Sequence, residues 1–511
     1  MKKILKRALC LALVLLFAMS ALVACKKSTN TPEGSQADSS QVSDITDPGS
    51  ETDTELNDKL TLGNYDFDGA EYKILTRKAT RYEFDPENEK GLDAVNNAIF
   101  LRNETVKNNF NVSLRFEETN GGWDSDFVEV YGKYMTGWSD VALVAAHFPM
   151  QQLASMQGYC RDMTTLKTED GAFDMTKEWW SKPFYENCNI EGKFYVAVGD
   201  IGYTLYEYLQ VVFFNEQLAE TYVVDAAGNP IDLYELVRDG EWTYDNFKTF
   251  VKNVNYVESD PMYGLATNAH SVRSFATAFE VQFMEKDESG AYTKYSFPKS
   301  ASLSTCNVVD DLLEFFRGGT SNSILYKKGS IGVDNTYCTP SFVKNDVLFY
   351  TQTLNEVITI AKDLDENSSF GVLPFPKYNE DQLEYHTAIR DSVTAISIPK
   401  TVPDLIMAGV VTEALCAYSY QNVRPAYLNT VLDDRYMSSE DLKEMMNIIR
   451  SSFTVDFVMA YGACLGTPYS VLSNLVNSSS GQMFASYYEG KQSTYEGKLK
   501  TLYSSLGVSA S

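Results

Sequence analysis

The sequence predicts an α/β protein built from two lobes. The chain has 511 residues, whereas a single hydrophobic core stops growing near ~250–300 residues. Short apolar runs alternate with helix-period segments after residue 70, and this alternation is typical of parallel α/β lobes. A hydrophobic content of 44% indicates a folded chain with a large core.

The N-terminal segment has the pattern of a lipoprotein signal peptide. A basic start, with Lys2 and Arg7 among its residues, precedes an apolar run over 8–24. This order is typical of a secretory signal. The run ends in Leu22-Val23-Ala24-Cys25, which resembles a bacterial lipobox and implies cleavage before Cys25 and a diacylglycerol on its thiol. The alternative is an uncleaved transmembrane anchor, but a run of 17 residues is at the short limit for a spanning helix.

A low-complexity segment follows over 28–59. It contains Ser, Thr, Asp, Glu, Pro, Gly and Gln with almost no apolar residues, so it cannot bury enough surface to fold. We therefore expect a signal peptide over 1–24, a lipidated disordered tether over 25–59 and a bilobal domain over 61–511. This arrangement predicts an extracellular protein, held by lipid at the outer face of the cell membrane.

Charge and cysteine content limit the classes of partner. The formal net charge is −26, and an acidic surface repels nucleic acid. Cys10 and Cys25 belong to the leader, and the remaining cysteines are Cys160, Cys188, Cys306, Cys338, Cys416 and Cys464. Their spacing contains no CxxC, so disulfides and isolated core thiols both stay open.

The first elements after the tether read as a parallel α/β unit. A strand is predicted at 72–76 and a helix over 92–110, because its apolar residues repeat at helical spacing. Strands are predicted at 111–116 and 140–145, the latter a buried apolar run. A further strand is predicted at 194–200.

The second half continues with mixed strands and helices. The predicted elements are a strand turning into a helix over 209–218, a helix opening at Thr243, a helix leading to a strand over 342–353, an extended segment over 371–377, a strand over 392–398, a helix after Pro403, a helix with a capping box near Ser439, and a helical tail over 481–502.

The segments in this order resemble those of family 1 extracellular solute-binding proteins, the carbohydrate-binding group that serves ABC importers. The resemblance covers the chain from about Leu60 onward. It rests on the lipobox and tether together with Val211 to Leu218, Asp239 to Asp245, Gly371 to Tyr378, Ile398-Pro399-Lys400 and Asp434-Arg435.

This resemblance implies a type II periplasmic-binding-protein-like fold, in which two α/β lobes are joined by hinge strands and a ligand binds in the cleft between them. Lobe one would comprise about 61–205 and 391–440, and lobe two about 206–390 and 441–511. A ligand would favour the closed form through contacts with both lobes. The closed form would dock on the permease subunits.

Candidate ligand contacts follow from the position of loops after core strands. Ligands of α/β proteins bind past the carboxyl ends of parallel strands. A sugar also needs aromatic faces and polar groups that bind its hydroxyls. The candidates are His147, Phe148, Asp200, Tyr203, Tyr206, Tyr350, Gln352, Arg390 and Asp391. Each has a structural role as its alternative. If the segment of Arg390 and Asp391 is extended, only one of the two side chains meets the cleft.

Tryptophans offer another reading. The adjacent Trp179 and Trp180 would form a stacking platform if exposed, or a packed helix start if buried. Trp242 lies at the start of a predicted helix, and we interpret it as structural.

The sequence carries no recognisable catalytic motif. Its His residues, His147, His270 and His386, lack the spacing of metal ligands. GxSxG, P-loop and HExxH patterns do not occur. We therefore expect a monomeric binding protein for a small solute, which the resemblance implies is a carbohydrate, with no enzyme activity, metal or cofactor. A tethered carbohydrate-active enzyme and a ligand-sensing receptor domain are the alternatives.

Overall fold

The architecture of the chain was obtained from a computed structural model. It describes residues 64–87, 92–119, 125–136, 140–166, 173–288, 290–296, 303–317, 324–325, 335–365, 367–433, 436–437, 439–478 and 481–507. The lipobox and Cys25, together with the signal peptide and tether expected over 1–59, lie outside these residues.

Strands in the described ranges are β1 (Ala70–Arg77), β2 (Val112–Thr119), β3 (Val141–His147), β4 (Gln210–Asn215), β5 (Tyr263–Ala266), β6 (Met284–Lys286), β7 (Tyr292–Tyr295), β8 (Ile324–Leu325), β9 (Val347–Thr353), β10 (Phe370–Leu373) and β11 (Thr394–Ser397).

Helices in the first half are α1 (Asp93–Phe110), α2 (Ser125–Thr136), α3 (Phe148–Met156), α4 (Lys182–Asn187), α5 (Thr204–Glu207), α6 (Glu216–Tyr222), α7 (Leu233–Arg238), α8 (Tyr244–Asn253) and α9 (Ala269–Ala278). Those in the second half are α10 (Leu303–Arg317), α11 (Asn335–Val343), α12 (Val357–Asp363), α13 (Leu405–Tyr418), α14 (Glu440–Ser451), α15 (Phe457–Ala460), α16 (Gly462–Leu465), α17 (Val471–Asn477), α18 (Phe484–Glu489) and α19 (Gln492–Ser505). Short 3-10 helices lie at Lys78–Glu83, Met163–Leu166, Leu354–Glu356 and Pro468–Ser470, and π-helical turns at Ser419–Val423 and Ala426–Asp433.

The first sheet has the strand order β11-β3-β1-β2. β1 runs parallel to β2 and β3, and β11 is antiparallel to β3. Side chains of β3 are buried along its whole length, as expected for a parallel strand covered on both faces. The β1-α1-β2-α2-β3 order confirms the parallel α/β unit that the sequence predicts.

The second sheet has the strand order β10-β4-β9-β5-β8. β4 is antiparallel to both β9 and β10, whereas β5 is parallel to β8 and β9. β6 and β7 form a separate antiparallel pair. The chain thus passes from the first sheet to the second between β3 and β4 and returns between β10 and β11. This arrangement confirms the two-sheet α/β fold class.

The predicted strand at 194–200 is wrong. Ala197 makes a single antiparallel bridge with Ile396, and Gly199 makes one with Trp180. The backbone divides its hydrogen bonds between β11 and the tryptophan segment, so no continuous ladder forms. Gly199 is required there, because a Cβ atom would lie 2.6 Å from the carbonyl oxygen of Trp179.

Trp179 and Trp180 are both buried. This confirms that they pack in the interior and shows that they do not form an exposed stacking platform. Their indole Nε1 atoms donate to the two carboxylate oxygens of Glu413, at 2.8 and 3.2 Å. Trp242 is also fully buried, and its Nε1 donates to the carbonyl oxygen of Pro374 at 2.9 Å. These tryptophans therefore belong to the core.

The described cysteines are free thiols, namely Cys160, Cys188, Cys306, Cys338, Cys416 and Cys464. Across the described ranges, every helix is too short or too polar to cross a membrane.

Candidate ligand-binding site

His147 lies at the end of β3, where it pairs with Thr394 of β11. It is buried, and its Nδ1 donates to the carbonyl oxygen of Ser392. Burial and then the charge of Arg77 lower the pKa of His147 to about 3, so the imidazole is neutral at physiological pH. Phe148 begins α3 and packs in the core, with its ring centroid 4.8 Å from that of Phe184.

Asp391 is the centre of a polar cluster just before β11. Its Oδ2 accepts a hydrogen bond from the Tyr469 hydroxyl at 2.6 Å and lies 3.8 Å from Nη1 of Arg273. Its Oδ1 is 4.0 Å from Nδ1 of His270. Burial alone would raise the pKa of Asp391, but Arg273, His270, the Tyr469 hydroxyl and Arg390 together outweigh it and lower the pKa to about 2. The carboxylate is therefore ionised and balanced by Arg273.

α9 supplies the two basic side chains of this cluster. Asn268 caps the helix, and its Oδ1 accepts from the backbone N–H groups of His270 and Ser271 at 2.9 and 3.1 Å. His270 and Arg273 are three residues apart and so share one helix face. Burial and then Arg273 lower the pKa of His270 to about 3.

Arg273 is fixed on several sides. Its guanidinium lies 4.7 Å from the ring centroid of Tyr469, a cation–π distance. Its Nη1 donates to Oγ of Ser470 at 3.1 Å, and its Nη2 contacts Nδ1 of His270. The side chain therefore links α9 to the 3-10 helix Pro468–Ser470.

Arg390 and Asp391 both line one cavity, because their segment is a turn and not an extended strand. The N–H of Val393 donates to the carbonyl oxygen of Arg390 at 3.3 Å, which breaks the alternation of side chains that an extended strand would have. The guanidinium of Arg390 lies 5.7 Å from the ring centroid of Tyr208.

This cavity has a volume of about 40 Å³ and is bounded by β4, α9, the segment before β11 and residues 456–469. Gln210, at the start of β4, is 1% exposed and lines it. A wider pocket of about 540 Å³ adjoins it. The two share Thr277, Val281 and Asp456.

The wider pocket carries further polar and aromatic side chains, among them Asn187, Glu280, Lys286, Tyr292 and His386. Its volume lies within the ~300–1,000 Å³ that is usual for small-molecule sites. Across the described ranges, no group of His, Cys, Asp or Glu side chains is arranged to hold a metal ion.

Asp200 and Tyr206 form a separate pair. The Tyr206 hydroxyl donates to Oδ1 of Asp200, whose Oδ2 lies 3.8 Å from Nη1 of Arg424. Burial raises the pKa of Asp200 to about 6. Both residues are outside the lining of the cavity near Asp391.

The remaining candidates lie in the interior. Tyr203 is buried, with its ring 5.5 Å from that of Tyr82 and 5.2 Å from that of Tyr427. Tyr350 and Gln352 lie within β9, and Nε2 of Gln352 donates to the Tyr350 hydroxyl at 3.2 Å. The structure therefore groups His147, Arg390 and Asp391 near one another and places the other candidates elsewhere. Ligand contact stays a prediction for all of them.

Sequence reasoning missed Gln210, His270, Arg273 and Tyr469. β5 has four residues and is parallel to its neighbours, so the rule of strand carboxyl ends points to the loop after it. Asn268, a typical helix N-cap, marks where α9 begins. Nothing local in the sequence indicates that Tyr469 approaches Asp391, because the two are 78 positions apart.

Solved structures with a similar fold include sugar-binding proteins of transporters. The galacto-N-biose- and lacto-N-biose I-binding protein of an ABC transporter from Bifidobacterium longum, in complex with lacto-N-biose, aligns with a TM-score of 0.56 at 12% identity over 87% of this chain and 100% of its own. An ABC substrate-binding protein from Listeria monocytogenes in complex with cycloalternan aligns with a TM-score of 0.52 at 12% identity, over 86% of this chain and 100% of its own.

A family 1 extracellular solute-binding protein from Bifidobacterium longum subsp. infantis aligns with a TM-score of 0.50 at 12% identity, covering 85% of this chain and 99% of its own. No protein-family model and no curated protein sequence matches the chain. The similarity spans nearly all of each structure, so it concerns the whole fold. The chain therefore has the fold of the extracellular solute-binding proteins of ABC transporters, as the resemblance in its sequence predicts.

Proposed function

We propose that this protein captures a sugar or oligosaccharide outside the cell and delivers it to the permease of an ABC importer. The observation that carries the proposal is the similarity of fold, which extends over 87% of this chain and 100% of a protein solved with lacto-N-biose. A polar cavity near the segment that returns to the first sheet, with the wider pocket beside it, supports the same reading.

Capture would use closure of two lobes. We propose lobe one as about 61–205 and 391–440, and lobe two as about 206–390 and 441–511. The connections between the sheets lie before β4 and after β10, so a rotation there would open or close a cleft. Ligand would favour the closed form only to the extent that it contacts both lobes.

Lipid on Cys25 would hold the protein at the outer face of the membrane. The segment over 28–59 would act as the tether, as its composition supports. We further propose that the protein is a monomer that binds its ligand without chemical conversion, and that it is not an enzyme.

The test is incubation of the purified protein with a panel of monosaccharides and oligosaccharides, followed by melting temperature and by product analysis. A ligand at 100 times its Kd should stabilise the folded state by about 2.7 kcal/mol. Binding without product supports capture.

Two outcomes would reject the proposal in different ways. Cleavage or modification of a sugar would identify a carbohydrate-active enzyme. Stabilisation by peptides and not by sugars would retain the fold and overturn the class of solute.

A further inference from the structure

Arg390 has a side-chain hydrogen-bond donor without a partner in the protein. Its side chain makes no hydrogen bond or ion pair with any described residue, and its buried Nε has no partner. Burial lowers the pKa of Arg390. The charge of Asp391 raises this pKa, and the charge of Arg273 lowers it. An unpaired, partly buried cation is costly unless a ligand anion compensates it.

Gln210 supplies a second unused donor on the same cavity. The side chain is 1% exposed, and its Oε1 accepts a hydrogen bond from Oγ of Ser271 at 3.0 Å. Its Nε2 has no partner among the described protein atoms. With Oε1 facing Ser271, the amide leaves Nε2 buried without a partner, which is costly, and in this orientation the missing partner is an acceptor.

Each carboxylate on the cavity already accepts a hydrogen bond. Asp391 is held by Arg273 and Tyr469, as described above. Asp456 accepts from the N–H of Val458 at 2.7 Å, as the cap of α15. The donors of the cavity that have no partner are on Arg390 and Gln210.

The shape of the two spaces fits an anionic group joined to a larger neutral body. The inner cavity, about 40 Å³, leaves room for a small group. The adjoining pocket of about 540 Å³ carries the polar side chains of Asn187, Lys286 and His386. Polar groups of this kind can bind the hydroxyls of a sugar.

We propose that the solute is an acidic carbohydrate whose carboxylate binds Arg390 and Gln210 while the rest of the sugar occupies the wider pocket. The planar guanidinium of Arg390 matches carboxylate geometry, and its stacking on Tyr208 orients it. This inference rests on the proposed function and specifies the class of solute.

The experiment is calorimetric titration of the full chain with matched acidic and neutral sugars. The probes are glucuronate against glucose, galacturonate against galactose and digalacturonate against lactose, with glucose 6-phosphate as a different anion. The acidic member of each pair should bind at least about 10-fold more tightly, the effect of one charge-assisted hydrogen bond.

Substitutions at Arg390 and Gln210 test whether the preference for acidic sugars arises in this cavity. Arg390→Gln should weaken the acidic member at least about 10-fold more than the neutral one, so that the preference disappears. Gln210→Glu, which keeps an acceptor for Ser271 but places a carboxylate at the cavity, should weaken the acidic sugar by about 10-fold or more. Arg115→Gln is the control, because this side chain is 57% exposed on β2 and should keep the preference.

Each outcome is decisive when the melting temperatures show that the variants fold. Neutral sugars that bind as tightly as acidic ones overturn the inference and leave the proposed function intact. A preference that survives in both Arg390→Gln and Gln210→Glu also overturns it, as does tighter binding of glucose 6-phosphate than of glucuronate. If no sugar of either class binds, the inference and the proposed function both fail.

Discussion

The hydroxyl of Tyr469 donates a hydrogen bond to Oδ2 of Asp391 at 2.6 Å, and this contact joins the segment that enters β11 to a 3-10 helix near the C-terminal part of the chain. Arg273 stacks on the same tyrosine and approaches the same carboxylate. Three distant parts of the sequence thus meet at one ionised group beside the cavity.

Asp391 should make the protein sensitive to acid. The pKa of Asp391 is lowered from 3.8 to about 2 in the folded state, so its contribution to stability is present above pH 4 and is lost as the pH falls toward 2. Relative to Asp391→Asn, the wild type should be more stable by about 2 kcal/mol above pH 5, and this difference should shrink below pH 4.

Urea denaturation between pH 2 and pH 6 measures this difference. The exposed Asp363→Asn is the control and should match the wild type throughout. A difference between wild type and Asp391→Asn that stays constant down to pH 2 would show that the carboxylate is not stabilised in its ionised form.

Glu413 should have the opposite dependence on pH. Burial raises the pKa of Glu413 from 4.5 to about 8, against the hydrogen bonds from Trp179 and Trp180 that lower it. Stability from this group is present below pH 4.5 and is lost as the pH rises toward 8. At pH 5 Glu413→Gln should cost about 1–3 kcal/mol, because its amide N–H₂ would face an indole N–H.

The wild type should therefore exceed Glu413→Gln in free energy of unfolding by less at pH 8 than at pH 5. Chemical denaturation followed by tryptophan fluorescence measures this difference. Glu129→Gln, whose side chain is 69% exposed, serves as the control. An advantage that grows with pH would mean that the tryptophans hold an ionised carboxylate and would contradict the predicted direction.

Two glycines should respond to alanine in opposite ways. A Cβ atom on Gly264 of β5 would lie 2.2 Å from the carbonyl oxygen of Val251, whereas one on Gly497 of α19 meets no atom within 4 Å. Gly264→Ala should destabilise the fold by about 1–3 kcal/mol. Gly497→Ala should stabilise it by about 0.5–1 kcal/mol, because alanine favours the helix interior. Thermal unfolding of both variants is the measurement, and equal effects would contradict the close approach at β5.

Cys25 should determine where the protein resides but not what it binds. Cys25→Ala is expected to remove the lipid site, so that cell fractionation finds the protein in the medium or as an unprocessed precursor. Its affinity for the ligand should not change. Cys10→Ala, which alters the other leader cysteine, should remain at the membrane. Retention of mature Cys25→Ala at the membrane would reject the lipid anchor.

Local sequence pattern was sufficient for most of the elements and insufficient for the site. β1, α1, β2 and β3 follow from apolar runs and helical spacing, which depend on neighbouring residues. The segment over 194–200 has the composition of a strand, but its pairing is decided by the approach of Trp179, which is a tertiary contact. The local pattern therefore predicted the wrong element there.

The cluster at the cavity depends on the path of the chain between the sheets. The rule of strand carboxyl ends places His147 near the site and would also have led to His270 through β5. Gln210 and Tyr469 come close to Asp391 only after the chain has crossed between the sheets. Tyr350 and Gln352 are predicted from their position after the Phe342 helix, at the expected cleft of lobe two. Their strand β9 has a neighbour on each side and is buried throughout.

A crystal structure of the protein with a bound carbohydrate would locate the ligand. We expect the sugar in the wider pocket, with an acceptor of the ligand within hydrogen-bond distance of Arg390 and of Gln210 Nε2. A sugar bound at another place, with Arg390 and Gln210 still without a ligand partner, would contradict this expectation.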